Sequence, residues 1–290
     1  MGVERFANYY LKGQDGWLES EKDGRRREIP QHRSFEVKPE DGMNVELSID
    51  RVIQDIVEDE LGKIVEEFSP VSASIIVGNP ISGDVLALGN APDFDPNLFY
   101  ESDMNSQRNR ALADLYEPGS TFKIVPVGAA LNEGLVVPSD IIDCAKSSYL
   151  VGNKIRRLPS DHTLLGKISL KEVVKKSSNR GAAQLGIKLG SRRLYEYSKA
   201  FGFGSSTDFG IGGERNGILH KPRSWDGLTI TRLPMGHAVS VTAMQIHQAM
   251  SAVANDGILM KPRFIERIFD KDGKTVVSFE SKPVRRVLSC

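Results

Sequence analysis

Between Val52 and Phe68 the apolar residues Val52, Ile53, Ile56, Val57, Leu61, Ile64, Val65 and Phe68 recur every three or four positions. That spacing predicts an amphipathic helix. Asp50 stands where a short carboxylate can accept from the free N–H groups of its first turn. Two short apolar runs follow, Ser74-Ile75-Ile76-Val77 and Val85-Leu86-Ala87-Leu88, around Asn79-Pro80 and Gly83-Asp84. They predict an antiparallel hairpin buried on both faces. From Glu117 the pattern turns helical, with Pro118 suited to a first turn and Gly134 to the stop. Pro126 is awkward inside that span, because an interior proline removes a hydrogen bond and tends to kink a helix.

Further helix starts are marked by Ser169-Leu170-Lys171-Glu172 and Thr242-Ala243-Met244-Gln245, both of which fit a reciprocal capping box. Between them Phe201-Gly202-Phe203-Gly204 opens a glycine-rich loop to about Trp225. Near the end, Phe264 to Phe269 and Thr275 to Phe279 flank Asp272-Gly273, a hairpin turn pair. Residues 1–45 are polar and turn-rich, and they read as the end of a preceding module plus a linker. Strands, then many helices, then strands again predict a mixed α/β fold with a sheet flanked by helices.

Composition narrows the function classes. At 290 residues, 40% hydrophobic and 26% charged, the chain reads as globular. Lys plus Arg and Asp plus Glu both total 38, so the basic excess of a nucleic-acid binder is missing. Arg25-Arg26-Arg27 lies among Glu21, Asp23 and Glu28 and reads as a solvated face. Cys144 and Cys290 give neither a disulfide framework nor a metal spacing, and they leave the redox compartment open. His32, His162, His220, His237 and His247 form no metal-binding pattern, so no metal is assigned. No apolar stretch approaches the ~18 residues of a membrane span, and the first residues carry no signal core. As written, the polypeptide reads as soluble and unexported.

The candidate chemistry lies in Glu117-Pro118-Gly119-Ser120-Thr121-Phe122-Lys123. Residues three apart on a helix share a face, so Ser120 and Lys123 are expected side by side. A serine hydroxyl needs a base to take its proton, and a lysine can serve if burial lowers its pKa. Taken alone, Ser-x-x-Lys also fits an ordinary helix start with an exposed lysine. A second segment, Lys175-Lys176-Ser177-Ser178-Asn179, lies where one helix should end and another begin. Ser177 can relay a proton, and Asn179 offers an amide donor and a carbonyl acceptor. These residues equally fit a plain cap for the next helix.

In this order and with these flanks, the two segments resemble the class B penicillin-binding proteins, monofunctional D,D-transpeptidases of the penicilloyl-serine transferase superfamily; Ser-x-x-Lys is a known signature of penicillin-binding proteins. The resemblance extends to Leu47-Ser48-Ile49-Asp50 with Gln54, Asn109-Arg110-Ala111, Phe201 to Gly204, and Met235-Gly236-His237 leading to Thr242 and Gln245. It continues through Ala254-Asn255-Asp256-Gly257 and Pro262, and covers roughly residues 5–287. It implies an antiparallel sheet flanked by helices plus an all-helical subdomain, with residues 1–45 closing an N-terminal pedestal and linker and 46–290 forming the transpeptidase domain. By the same resemblance Ser120 is the acylated nucleophile, Lys123 its general base, Ser177 the proton relay to the leaving amine, and Asn179 the holder of the donor peptide's amide. No cofactor is implied. Peptidoglycan stem peptides and β-lactams are the implied ligands, a polytopic membrane glycosyltransferase the implied partner, and the outer face of the bacterial cytoplasmic membrane the implied location of the intact parent.

The family's third motif, Lys-Thr-Gly or Lys-Ser-Gly, does not occur in this sequence; Lys274-Thr275 is followed by Val276 and reads as part of a hairpin. In relatives that motif lies some tens of residues beyond the point matching Val287-Leu288-Ser289. The resemblance therefore implies a domain incomplete at its C-terminus, lacking one oxyanion-hole donor, that folds poorly and acylates slowly or not at all. A serine β-lactamase or D,D-carboxypeptidase of the same superfamily shares the Ser-x-x-Lys logic but hydrolyses. A non-catalytic β-lactam-binding scaffold is the third reading, which retention of Ser120, Lys123, Ser177 and Asn179 disfavours.

Overall fold

A computed structural model describes residues 2–151 and 154–289; Met1, Gly152, Asn153 and Cys290 lie outside the described residues. In chain order the elements are α1 (Val3–Leu11), β1 (Trp17–Lys22), β2 (Glu28–Val37), β3 (Asn44–Leu47), α2 (Arg51–Phe68), β4 (Ala73–Gly78) and β5 (Val85–Ala91). Next come α3 (Arg110–Ala113), a 3-10 turn (Gly119–Lys123), α4 (Ile124–Asn132), β6 (Ile141–Asp143), β7 (Ser148–Val151), β8 (Lys154–Arg157), β9 (Lys167–Ser169), α5 (Leu170–Lys175) and α6 (Asn179–Ala200). The chain continues with β10 (Ile218–Leu219), α7 (Thr229–Arg232), β11 (Val239–Ser240), α8 (Ala243–Ala254), β12 (Ile258–Met260), β13 (Ile265–Phe269), β14 (Thr275–Ser278) and β15 (Pro283–Arg286). The fold is mixed α/β, and the paired strands among the described residues are antiparallel.

Two compact units emerge. The smaller comprises Met1–Ser48, Gly210–Gly212 and Arg263–Glu280. The stretch before β3, polar and turn-rich in sequence, carries regular structure: α1, and the pair β1–β2 with Trp17 stacked on Phe35 at 4.7 Å between ring centroids. In this unit β13 is central between β14 and β3, with Ile268 opposite Val277 on one side and Val45 on the other. The expected Asp272-Gly273 turn closes β13 onto β14. Asp270 Oδ1 accepts from the N–H of Asp272 (3.0 Å) and of Lys274 (2.9 Å), and Gly273 takes the left-handed φ of +80°. Thr275 pairs with Phe269, so Lys274-Thr275 belongs to the hairpin, as expected.

The larger unit comprises Ile49–Phe209, Gly213–Pro262 and Ser281–Cys290. Asp50 caps α2, its Oδ1 accepting from the N–H of Val52 (2.9 Å) and Ile53 (3.1 Å). Of the apolar stripe on α2, Val57 and Leu61 are buried against Ala87 and Ala91 of β5, whereas Val52, Ile56 and Phe68 are exposed. The hairpin β4–β5 forms in the expected place, but not buried on both faces: alternate residues of β5 are buried, and β4 is half-buried throughout. One face therefore packs under α2 and the other is only partly covered, the ordinary situation of an antiparallel pair. Gln54 fastens helix to hairpin. Its Oε1 accepts from Leu88 N–H (2.9 Å) and its Nε2 donates to Leu88 O (3.3 Å).

The main core joins α4, α5, α6 and α8 through Phe122, Val125, Ala129, Val173, Leu185, Leu194, Phe203 and Ala249. Here the helix expected from Glu117 onward is two pieces, the 3-10 turn and then α4. The junction explains Pro126. It falls in the first turn of α4, where its missing N–H costs least. Gly134 ends the segment with φ +63°, as its position predicted. Thr242 and Gln245 make the reciprocal box at α8, while at α5 only the forward half is recorded, Ser169 Oγ accepting from Glu172 N–H. Gln245 does more than cap: its Nε2 donates to Ser205 O (2.7 Å) and Asn216 O (2.8 Å), tying together two points of the glycine-rich loop.

Candidate active site

The 3-10 turn decides how Ser120 and Lys123 meet. At three residues per turn, side chains i and i+3 eclipse, where an α-helix would offset them. Ser120 is exposed and Lys123 is 6% exposed, with Lys123 Nζ 3.1 Å from Ser120 Oγ. Phe122, between them in sequence, points the other way into the core against Phe203, the ring centroids 4.9 Å apart. The turn is held from outside by Gly236, at φ +82°. A Cβ on Gly236 would lie 2.0 Å from Gly119 O, and Gly119 N–H donates to Gly236 O at 3.2 Å. Glu117 adds a second tie, accepting from Ala238 N–H (2.9 Å) and pairing with His237 Nδ1 (2.7 Å). Met235-Gly236-His237, which has no chemistry visible in the sequence, is thus a buttress for the serine turn.

The second segment arrives from the end of α5. Lys176 N–H and Ser178 N–H close back on Glu172 O and Val173 O, and Ser177 takes the left-handed φ of +54°. This is the position after a helix end that usually goes to glycine. A serine there costs about 1–2 kcal/mol of backbone strain. Its side chain is the compensation: Lys123 Nζ donates to Ser177 O (2.5 Å) and Ser177 Oγ (2.9 Å). Ser178 caps α6, its buried Oγ accepting from Gly181 N–H at 3.0 Å. Asn179 opens α6, with Oδ1 2.8 Å from Lys123 Nζ and Nδ2 donating to Ser160 O at 3.1 Å. Three of the four residues singled out in the sequence, Ser120, Ser177 and Asn179, therefore converge on the amine of the fourth, Lys123.

Around that amine stand four acceptors. Ser177 O and Asn179 Oδ1 can only accept, so they occupy both N–H groups of a neutral amine. Its lone pair is then left to the hydroxyl protons of Ser120 and Ser177. Burial pushes the Lys123 pKa below its ordinary 10.5, and the Asp161 carboxylate pulls partly the other way. Geometry and burial both favour an amine able to accept the Ser120 proton.

Sequence reasoning missed Asp161 and Arg180. Asp161 Oδ1 accepts from Asn179 N–H (2.5 Å) and Arg180 N–H (3.1 Å), and its Oδ2 from Ser178 Oγ (2.8 Å). Arg180 reaches back to the carbonyls of Pro159, Cys144 and Ala145 at 3.3, 3.1 and 3.2 Å. An isolated aspartate 18 residues from its partner gives no local signal, although Ser160-Asp161 ahead of a helix start has the composition of a capping loop.

With this geometry in hand, comparison with known proteins gives a consistent result. Residues 73–287 match the penicillin binding protein transpeptidase domain. Stage V sporulation protein D of Bacillus subtilis is 32% identical over 97% of this chain and 44% of its own length. Penicillin Binding Protein 2X of Streptococcus thermophilus superposes with a TM-score of 0.83 at 27% identity, over 100% of this chain and 42% of that one. Penicillin binding protein 3 of Mycobacterium tuberculosis, solved complexed with ampicillin, superposes with a TM-score of 0.80 at 27% identity, over 100% of this chain and 60% of that one. The chain thus spans under half the length of this Bacillus subtilis relative. It belongs to the penicillin-binding protein transpeptidase domain family.

Proposed function

We propose that this chain carries the serine acyl-transfer site of a peptidoglycan D,D-transpeptidase. The observation that carries the reading is the convergence of Ser120, Ser177 and Asn179 on the buried amine of Lys123. Ser120 Oγ attacks the carbonyl between the two terminal D-alanines of a stem peptide while neutral Lys123 takes its proton. The C–N bond then breaks, and the departing D-alanine amine receives a proton through Ser177 Oγ. This leaves an ester on Ser120. An amine of a second stem peptide attacks the ester, its proton returning through the same groups, and the new amide is the cross-link. Asn179 fits the donor peptide's backbone amide. The helical run from Gly119 to Asn132 presents its positive end to the oxyanion that develops. β-Lactams acylate Ser120 in the same way, consistent with the ampicillin complex of the mycobacterial relative.

Family membership supports the rest of the assignment: a parent on the outer face of the bacterial cytoplasmic membrane, a polytopic membrane glycosyltransferase as partner, residues 1–45 as the end of a pedestal module and linker, and 46–290 as part of the transpeptidase domain. The test is incubation of the purified chain and Ser120→Ala with a fluorescent penicillin, read on a denaturing gel. Covalent label on the wild type alone, formed slowly because the sequence has no Lys-Thr-Gly or Lys-Ser-Gly to supply the second oxyanion-hole donor, and retained for hours, is the expected result. Label released within seconds points to a hydrolase, and no label on a folded wild type overturns the reading for this chain.

A further inference from the structure

The side chain that fixes the second motif is not in either motif. Ser177 takes a left-handed φ between α5 and α6, a strained conformation for a non-glycine residue, and Asn179 is the first residue of α6. A reciprocal clamp joins the loop residues 159–161, after β8, to the start of α6. From the loop, Asp161 accepts from the N–H groups of Asn179 and Arg180 and from the hydroxyl of Ser178. In return, Arg180 donates to Pro159 O on that loop and to Cys144 O and Ala145 O. Ser160 O takes the Asn179 side-chain amide, which fixes that side chain with Oδ1 toward Lys123. Each residue of the Ser177-Ser178-Asn179 segment is therefore oriented directly or at one remove by residues 159–161.

We propose that Asp161 is a positioning residue for acylation, its carboxylate holding the 177–179 turn so that Ser177 and Asn179 meet the amine of Lys123. This rests on the reading of Ser120 and Lys123 as nucleophile and base. Asp161 does two separable things, one through hydrogen bonds and one through charge. Its Oδ1 serves both backbone N–H groups and its Oδ2 serves only the Ser178 hydroxyl, which can accept as readily as donate. Asp161→Asn therefore keeps the clamp, with the new amide donating to Ser178 Oγ, and removes the charge. Asp161→Ala removes both.

Among the described residues, Asp161 is the charged group that acts on Lys123; the other groups facing that amine, Ser120 from the 3-10 turn, Ser177 after α5 and Asn179 on α6, are uncharged. Behind Asp161, Arg180 and Asp143 face the buried thiol of Cys144. Loss of the Asp161 charge removes a stabiliser of the ammonium, so Lys123 is deprotonated at lower pH. A residue with only a structural role would not move that midpoint.

The experiment has two readouts on wild type, Asp161→Asn and Asp161→Ala. One is the rate of β-lactam acylation against pH, and the other is the NMR titration of the Lys123 side-chain carbon next to the amine, which requires no turnover. In Asp161→Asn the Lys123 titration and the acid limb of acylation are both expected to move to lower pH, with the plateau rate kept within a few-fold. In Asp161→Ala the plateau rate of acylation is expected to fall roughly ten- to a hundredfold, the usual consequence of misplacing catalytic groups by about 1 Å, with the acid limb moved to lower pH as in Asp161→Asn. Hydrogen exchange should show the Asn179 and Arg180 amides deprotected in the alanine variant and protected in the asparagine variant. Titration and exchange unchanged from wild type in both variants would overturn the proposal. A wild type that fails to acylate while the titration moves as expected would instead overturn the transpeptidase reading and leave the clamp standing.

Discussion

As an ammonium, Lys123 has no lone pair and cannot take the Ser120 proton, so the reactive form is the neutral amine. Burial lowers its pKa, which extends the neutral form below the ordinary 10.5, and the nearby Asp161 limits the effect. The sign follows: acylation is expected to rise with pH along a limb set by Lys123 and lying below 10.5, and to fall as pH drops through it. Lys123→Arg tests the same point without a pH change. The guanidinium stays charged at any working pH, so labelling by fluorescent penicillin is expected to drop by about 10²- to 10⁴-fold while the circular dichroism spectrum stays folded. A stopped-flow series from mildly acid to alkaline pH would show the limb directly. Ser177 shows the complementary economy at this scale. Glycine would relieve its left-handed backbone but would forfeit the hydroxyl that faces the amine.

Elements act here through their ends. Ser120 and Lys123 come from a 3-10 turn, Ser177 from the stop of α5, and Asn179 from the start of α6. Termini carry unpaired backbone groups and abrupt changes of direction, so side chains there can face a common point that mid-helix residues cannot reach. The contact of Gly236 with Gly119 shows how closely such an end is supported. Gly236→Ala would need a left-handed alanine and would drive its methyl into Gly119 O. Its cost is expected to be at least about 2 kcal/mol, read as a lower denaturant midpoint. Penicillin labelling is expected to fall with it, because the displaced turn carries Ser120. The helix ends were legible one at a time: Asp50, Ser178 and Thr242 all cap as their residue types suggest. The 3-10 form of the serine turn was not, because Gly-Ser-Thr-Phe-Lys is equally compatible with a first α-turn.

On the scale of the larger unit, the site is the exposed rim of one hydrophobic core. Phe122 is buried between two site residues and packs with Phe203 from the glycine-rich loop, while Val173 links α5 to the same cluster. Phe122→Ala is expected to cost about 3–5 kcal/mol, measured by chemical denaturation. Labelling should be lost at temperatures where Ser120→Ala remains folded. The loop from Phe201 to Trp225 reads only as glycine-rich in sequence, and in the structure it is fixed at Phe203 by the core and at Ser205 and Asn216 by Gln245. Both anchors come from residues far away in the chain, which periodicity does not see.

By itself the sequence determined the caps of α2 and α8, the β13–β14 turn and the mixed class of the fold. These follow from local physics: spacing that repeats with the element, short polar side chains at helix starts, and glycine where φ is positive. The four residues that meet at the site were singled out by resemblance to a family, because each motif alone fits an ordinary helix start or cap. Tertiary structure alone decided which side of each element is covered, leaving part of the α2 stripe exposed and one face of the β4–β5 hairpin partly open. It also decided the partners of Lys123, the buttress at Gly236 and the clamp of Asp161 and Arg180. Each of these is a contact between segments distant in sequence, and nothing in the local pattern of either segment encodes the direction in which the other will arrive.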